Sequence, residues 1–298
     1  MSFRPTKWLQ RLQSAFTSTA QLLSPQAAAC LLCGKLHNEA RSAEGLNRTK
    51  LTLRLQQSVC GVCLSTIPWL TRIVCHRCGR GIHCDDCLRN PQRSFILNRS
   101  AVHYNPAMRS LLAQYKYRGN EELATLLADM LVPAFERMTA ELALRITPPG
   151  PAQHKQSHKN IALYWDAITF VPISPERALD RGFNQAEQLA NDLAQRYRIP
   201  LMQLLVRERH TEKQSFKTRS ERMRDTRHLF NINEVEFDKL RNIKLTHRNK
   251  EESTDRVLRV LIIDDIYTTG STGEACSQAL SLYSGQPLEI YILTWARS

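Results

Sequence analysis

Two rhythms of apolar and polar positions run along the 298 residues. Spacings of three and four predict helices over 106–117, 120–143, 183–197 and 271–283. In the second of these, Leu123, Leu126, Leu127, Met130 and Leu131 form one stripe. Short apolar or alternating runs predict strands at 99–104, Ala167–Ile173, Val257–Ile263 and Glu289–Trp295. Leu204–Arg207 and Arg227–Ile232 predict shorter strands. Strands alternating with helices imply an α/β fold, a parallel sheet with helices on both faces. Near the start, Trp8, Leu12, Ala15, Phe16 and Thr19 share one face of a short amphipathic helix, expected to pack against the chain's own body. No run of about eighteen apolar residues occurs, so no membrane span is expected.

Three polar stretches interrupt these patterns. Residues 38–50 and 241–256 read as loops, and 147–160 as a surface insertion rich in turn formers and solvated charge. Three domains are expected: a helical extension over 1–29, a cysteine-rich module over 30–95, and an α/β domain over 96–298. Lys and Arg number 41 against 28 Asp and Glu, a formal charge of +13 that suits nucleic acid, phosphorylated metabolites or an acidic surface. The first acidic residue is Glu39, but Gln10, Gln13, Ser14, Thr17, Ser18 and Thr19 interrupt any secretory apolar core, and the reading is cytoplasmic.

Eight of the nine cysteines form four Cys-x-x-Cys pairs: Cys30/Cys33, Cys60/Cys63, Cys75/Cys78 and Cys84/Cys87. Each spacing lets two thiolates of one tight knuckle hold one metal ion, and four thiolates satisfy tetrahedral zinc. Eight cysteines therefore make two structural Zn²⁺ sites with no open position. A disulfide framework fits neither the missing signal peptide nor the fourfold repeat. Sequential pairing is the simplest arrangement, with a cross-braced one as the alternative. His37, His76 and His83 are surplus and read as solvated; Cys276, alone in a helix, reads as a small buried residue.

The sharpest signal is Val260-Leu-Ile-Ile-Asp264-Asp265-Ile-Tyr-Thr268-Thr269-Gly270-Ser271-Thr272-Gly273. An apolar strand delivers two carboxylates, and a Thr/Ser/Gly loop opens a helix. Backbone N–H groups at such a helix start, joined by hydroxyls, form a cradle for phosphate. Carboxylates beside a phosphate cradle suit a ligand with hydroxyls near its phosphate, such as a ribose 5-phosphate.

This segment resembles the signature of type I phosphoribosyltransferases, which bind phosphoribosyl pyrophosphate (PRPP). Tyr115-Lys116-Tyr117-Arg118-Gly119, Val171-Pro172-Ile173, Arg181-Gly182-Phe183-Asn184-Gln185-Ala186, and Arg207 followed by Thr211 and Gln214 narrow the resemblance to the ComF family. The likeness extends from about Cys30 to Trp295. Proteins of that family carry a cysteine ribbon before a phosphoribosyltransferase-like domain and are linked to natural competence and use of external DNA. Where the family tends to have Arg-x-x-Asn, Arg222 stands with Asp225.

The resemblance implies PRPP, with Mg²⁺, held by Asp264, Asp265, Thr268, Thr269, Gly270, Ser271 and Thr272, with Arg177 and Arg181 toward the pyrophosphate. Lys116 and Arg118 either add phosphate charge or complement a helix C-terminus. The basic stretch 207–228, with Lys213, Lys217, Arg219 and Arg222, is either a hood over the phosphates or a track for single-stranded DNA. A role in natural transformation and DNA processing is implied, with a DNA-uptake or helicase protein as a partner. A transferase acting on an unidentified acceptor is the alternative.

Overall fold

A computed structural model of the chain describes residues 28–37, 51–118, 121–146, 160–207, 229–246 and 257–298. The expected N-terminal helix, the loop 38–50, nearly all of the 147–160 insertion, and Lys213, Lys217, Arg219, Arg222 and Asp225 lie outside the described residues. The chain divides into two compact units. The smaller comprises Met1–Asn47 with Gln56–Thr66, the larger Arg48–Leu55 with Ile67–Ser298.

In the smaller unit, β1 (Ala28–Ala29) pairs antiparallel with β2 (Leu36–His37) across the first cysteine turn. The short helix α1 (Leu53–Ser58), whose last three residues belong to this unit, precedes Cys60, and α2 (Gly61–Thr66) carries Cys63. His37 is half-buried, its Nε2 enclosed and without a hydrogen-bond partner among the described residues, so it is not solvated as expected. His76 and His83 are exposed, as expected.

The larger unit is built on a four-stranded sheet in the order β3-β8-β7-β4, all parallel. These are β3 (Leu97–His103), β4 (Ala167–Phe170), β7 (Leu258–Tyr267) and β8 (Leu288–Arg297). Val260 to Ile263 have no exposed surface, as a central strand covered on both faces requires. On one face, Tyr291 of β8 meets Trp165 edge-on and accepts from Arg145 of helix α5 (Glu121–Ile146). On the other, Ile290 and Ile292 join Ala275, Cys276 and Leu280 of α9 (Ser271–Ser284) in one core. Gly273 permits that approach, because a Cβ there would collide with Ile292.

Helices α4 (Pro106–Arg118) and α7 (Gln185–Tyr197) lie near their expected positions, and an antiparallel pair, β5 (Leu205–Arg207) and β6 (Phe230–Ile232), flanks residues 208–228 in sequence. Three differences matter. Strand β7 runs on through both aspartates to Tyr267, because β8 continues beside it, pairing Asp264 with Thr294 and Tyr267 with Arg297. Helix α8 (Glu234–Thr246) occupies residues given to no element and the start of the expected 241–256 loop. Asn233 accepts from Glu236 N–H at its start, and Phe237 and Leu240 anchor it in the core. Helix α6 (Pro175–Arg181) fills the stretch after β4, started by Ser174 and Pro175 and ended by Gly182 in the left-handed region.

The second cysteine group belongs to this larger unit, with Cys84 as the N-cap of α3 (Asp85–Arg89) and Cys87 within it. Cys78 and Cys84 are buried in the same core as Ile262 and Ile292. Arg99 of β3, itself buried, donates to the His76 carbonyl at 2.9 Å and pairs with Glu141 of α5, tying the knuckle to the layer beyond the sheet.

Candidate functional site

The C-terminal ends of β4 and β7 open into a cleft of about 280 Å³. Open parallel sheets bind ligands at this edge, where connections leave the strands. Asp264, Asp265 and Thr272 line it, with Arg177 and Arg181 from α6 and its end, Lys116 from α4, and Arg207 from β5. Of the residues expected to hold a phosphoribosyl group, the fold thus brings Asp264, Asp265, Thr272, Arg177 and Arg181 into one cavity. Thr268 and Thr269 are exposed on the adjoining turn, which Gly270 and Ser271 complete.

The turn is shaped by its sequence. Gly270 has φ of 80° and a Cβ there would strike the Tyr267 hydroxyl, so both conformation and space demand glycine. Ser271 N–H donates to Thr269 Oγ1 at 3.4 Å, and Glu274 N–H to the Gly270 carbonyl at 2.9 Å, which starts α9.

The charges in the cleft are segregated. Asp265 forms an ion pair with Lys116 and donates its N–H to Asp264 Oδ1 at 2.9 Å. Burial, then the charge of Asp265, raise the Asp264 carboxyl to about 8 despite that hydrogen bond and Lys116. Burial also lowers the pKa of Arg207, and the like charge of Arg177 adds to this. An anion bound between these arginines would relieve their repulsion, and the paired carboxylates can accept from hydroxyl donors. Deeper in, Cys276 is fully buried, and burial together with Asp264 pushes its thiol well above the ordinary value. It is a packing residue, as expected.

The surrounding motifs act as braces. Tyr115 is fully buried, donates to Gln188 Oε1 at 2.8 Å, and packs 5.4 Å from the Phe183 ring. It anchors α4 so that the next residue, Lys116, lies in the cleft. Asn184 caps α7 by accepting from Ala186 N–H at 3.0 Å, and donates to the Val171 carbonyl at the end of β4. Arg181 donates to Gln185 Oε1 at 3.0 Å. Arg207, named in the sequence as a strand end, as part of the family resemblance and within a basic run, proves to be a lining residue, its guanidinium 5.6 Å from the Phe230 ring centre. The pairing of β5 with β6 put it there, and no short-range signal carries that.

The eight cysteines form two groups, Cys30, Cys33, Cys60 and Cys63, and Cys75, Cys78, Cys84 and Cys87. Pairing is therefore sequential, and the cross-braced alternative is dismissed. Within each group the sulfurs lie within 4.8 Å of one another, with Cys33 and Cys60 at 3.8 Å and Cys78 and Cys84 at 3.6 Å. Zinc–sulfur bonds of about 2.3 Å in a tetrahedron demand sulfur separations near 3.8 Å, so both groups fit a structural Zn²⁺. Burial raises Cys30, but N–H donors from Cys60, Cys33 and Leu32 prevail and bring it down to about 7. A thiol so placed is ready to lose its proton to a metal.

No family model matches the chain. It is similar to the competence protein ComFC of Bacillus subtilis, with 28% identity over 90% of this chain and 95% of the relative. It is also similar to ComFC of Streptococcus pneumoniae, with 26% identity over 82% and 89%. The DNA utilization protein YhgH of Salmonella typhimurium shares 25% over 79% and 89%. Among the described residues, no helix is long and apolar enough to cross a membrane.

Proposed function

We propose that this chain, whose homologues are ComF-type competence and DNA utilization proteins, binds PRPP with Mg²⁺ in the cleft and serves DNA uptake and processing. One observation carries the reading: two adjacent carboxylates at the end of β7 share a cavity with Lys116, Arg177, Arg181 and Arg207. A ribose offers hydroxyl donors to Asp264 and Asp265. Its 5′-phosphate suits the N–H groups of the Thr268–Thr272 turn, and the pyrophosphate suits Arg177, Arg181 and Arg207. Mg²⁺ would bridge pyrophosphate oxygens and spread their charge.

Single-stranded DNA is the macromolecular ligand in this proposal, engaged by Lys213, Lys217, Arg219 and Arg222. The relatives' names and the net charge of +13 support it. The protein would act in the cytoplasm beside a DNA-uptake or helicase partner.

Calorimetric titration of the full chain with PRPP and Mg²⁺ tests the first part. Saturable binding that weakens without Mg²⁺ is expected; no heat and no thermal shift at millimolar PRPP would reject it. For DNA, affinity should fall with salt, each phosphate contact contributing about 0.7 to the logarithmic slope. Replacing Lys213, Lys217 and Arg219 with Gln should lower affinity and slope together. Insensitivity to both rejects the basic track.

A further inference from the structure

We propose that the second four-cysteine centre is a positioning element of the Thr268–Thr272 turn, so that metal in the centre and a phosphoribosyl ligand on the turn strengthen each other's binding. The inference rests on the reading of that turn as a PRPP site.

Two lines of contact join them, all within the larger unit. The first is the chain leaving the centre after Cys87. Arg93 donates to the Thr269 carbonyl at 3.4 Å. Ser94 donates its N–H and its hydroxyl to the Glu274 carboxylate, each at 3.0 Å, in the first turn of α9. Phe95 meets the Tyr267 ring edge-on at 6.5 Å. The segment from the knuckle thus holds the turn from both ends and from below.

The second line passes through Arg297. Its guanidinium lies 4.5 Å from the Tyr267 ring centre, and that ring supports Gly270 so closely that no Cβ fits. Arg297 is buried, and its Nε and Nη1 have no hydrogen-bond partner among the described residues. A buried guanidinium without partners is costly unless a charge offsets it. Cys78 and Cys84 share one buried core with Tyr267, the ring that Arg297 covers. Four thiolates on a divalent ion would carry two net negative charges beside that core, an offset for the Arg297 guanidinium. Losing the metal leaves Arg297 uncompensated and loosens the ring beneath the turn.

Coupling of this kind is reciprocal. The test uses the full chain with both centres loaded with zinc, and an equilibrium competition against a chelator of known zinc affinity, with and without PRPP and Mg²⁺. PRPP should raise the affinity for one of the two zinc ions by about fivefold or more. General stabilisation of the folded chain by any ligand would also retain zinc, so the deciding arm is the Arg93→Ala/Glu274→Ala variant. Compared at equal fractional saturation with PRPP, it should lose that protection. Glu274→Gln alone, which still accepts from Ser94, should keep it. Wild-type protein that binds PRPP but releases both ions unchanged overturns the proposal, as does full protection in the double variant. Wild-type protein that binds no PRPP, seen before chelator is added, overturns the underlying reading instead.

Discussion

The two cysteine centres are built from the same Cys-x-x-Cys pairs but have different surroundings, and the difference decides what each metal supports. In the first, Cys33 is exposed, and the sulfurs are joined to backbone by local bonds such as Cys60 N–H to Cys30 Sγ at 3.3 Å. In the second, Cys78 and Cys84 belong to the core that carries β7, β8 and α9. Small metal modules lack the apolar area to fold alone, so binding free energy there is folding free energy. The second centre instead shares one core with the sheet, so its loss is felt by every element packed there. Identical motifs therefore differ in reach.

Substitution at the two centres gives the largest expected contrast. Cys84→Ser should lower the melting temperature of the larger unit sharply or prevent its folding, since structural zinc binding is worth on the order of 10 kcal/mol. Cys33→Ser should lose one zinc ion yet leave the far-ultraviolet circular dichroism of the sheet nearly unchanged. Equal losses of stability in both variants would erase the distinction.

A smaller effect is expected at the tie between the knuckle and α5. Arg99→Ala strips a half-buried ion pair with Glu141 and the bond to the His76 carbonyl. Losing these charge-assisted hydrogen bonds, with Glu141 left in contact with solvent, should cost about 1.5–3 kcal/mol, measurable by urea unfolding with both zinc ions retained.

The pH dependence sharpens the picture of the cleft. Asp264 titrates near 8 in the folded chain against an ordinary value of 3.8. Between these values only the folded chain keeps the proton, so this contribution is full below 3.8, declines as pH rises, and is gone above about 8. Asp264→Asn should therefore melt higher than wild type at pH 8 and alike at pH 4, without ligand. The smallest effect belongs to Cys276. Cys276→Ala should cost about 1 kcal/mol for a lost buried atom and leave PRPP affinity unchanged, because the thiol is a packing group.

Much of this arrangement was legible in the chain. Adjacent Asp264 and Asp265 after an apolar run, then hydroxyls and glycine, specify strand, turn and helix locally. The cysteine spacing carried the metal chemistry, though not the choice between sequential and crossed pairs, which depends on how the chain returns. Ser174, Pro175 and Gly182 did carry start and stop signals for α6, but the expected strand through Ile173 obscured them. Helix α8 was hidden because its charged end, from residue 241 on, reads as loop, and only the burial of Phe237 and Leu240 fixes it. Arg207, Arg297 and Tyr267 acquire their roles from neighbours across strands, which no local pattern encodes.

The central claim is that the acidic pair and the turn after it hold a phosphoribosyl group. The direct measurement is a PRPP–Mg²⁺ titration of wild type beside Asp264→Ala/Asp265→Ala, with zinc content and melting temperature recorded for both. Each charge-assisted hydrogen bond lost should cost about 1.5–3 kcal/mol, so the double variant should bind at least about tenfold more weakly while keeping two zinc ions. A double variant that retains its fold and binds PRPP as tightly as wild type would contradict the account.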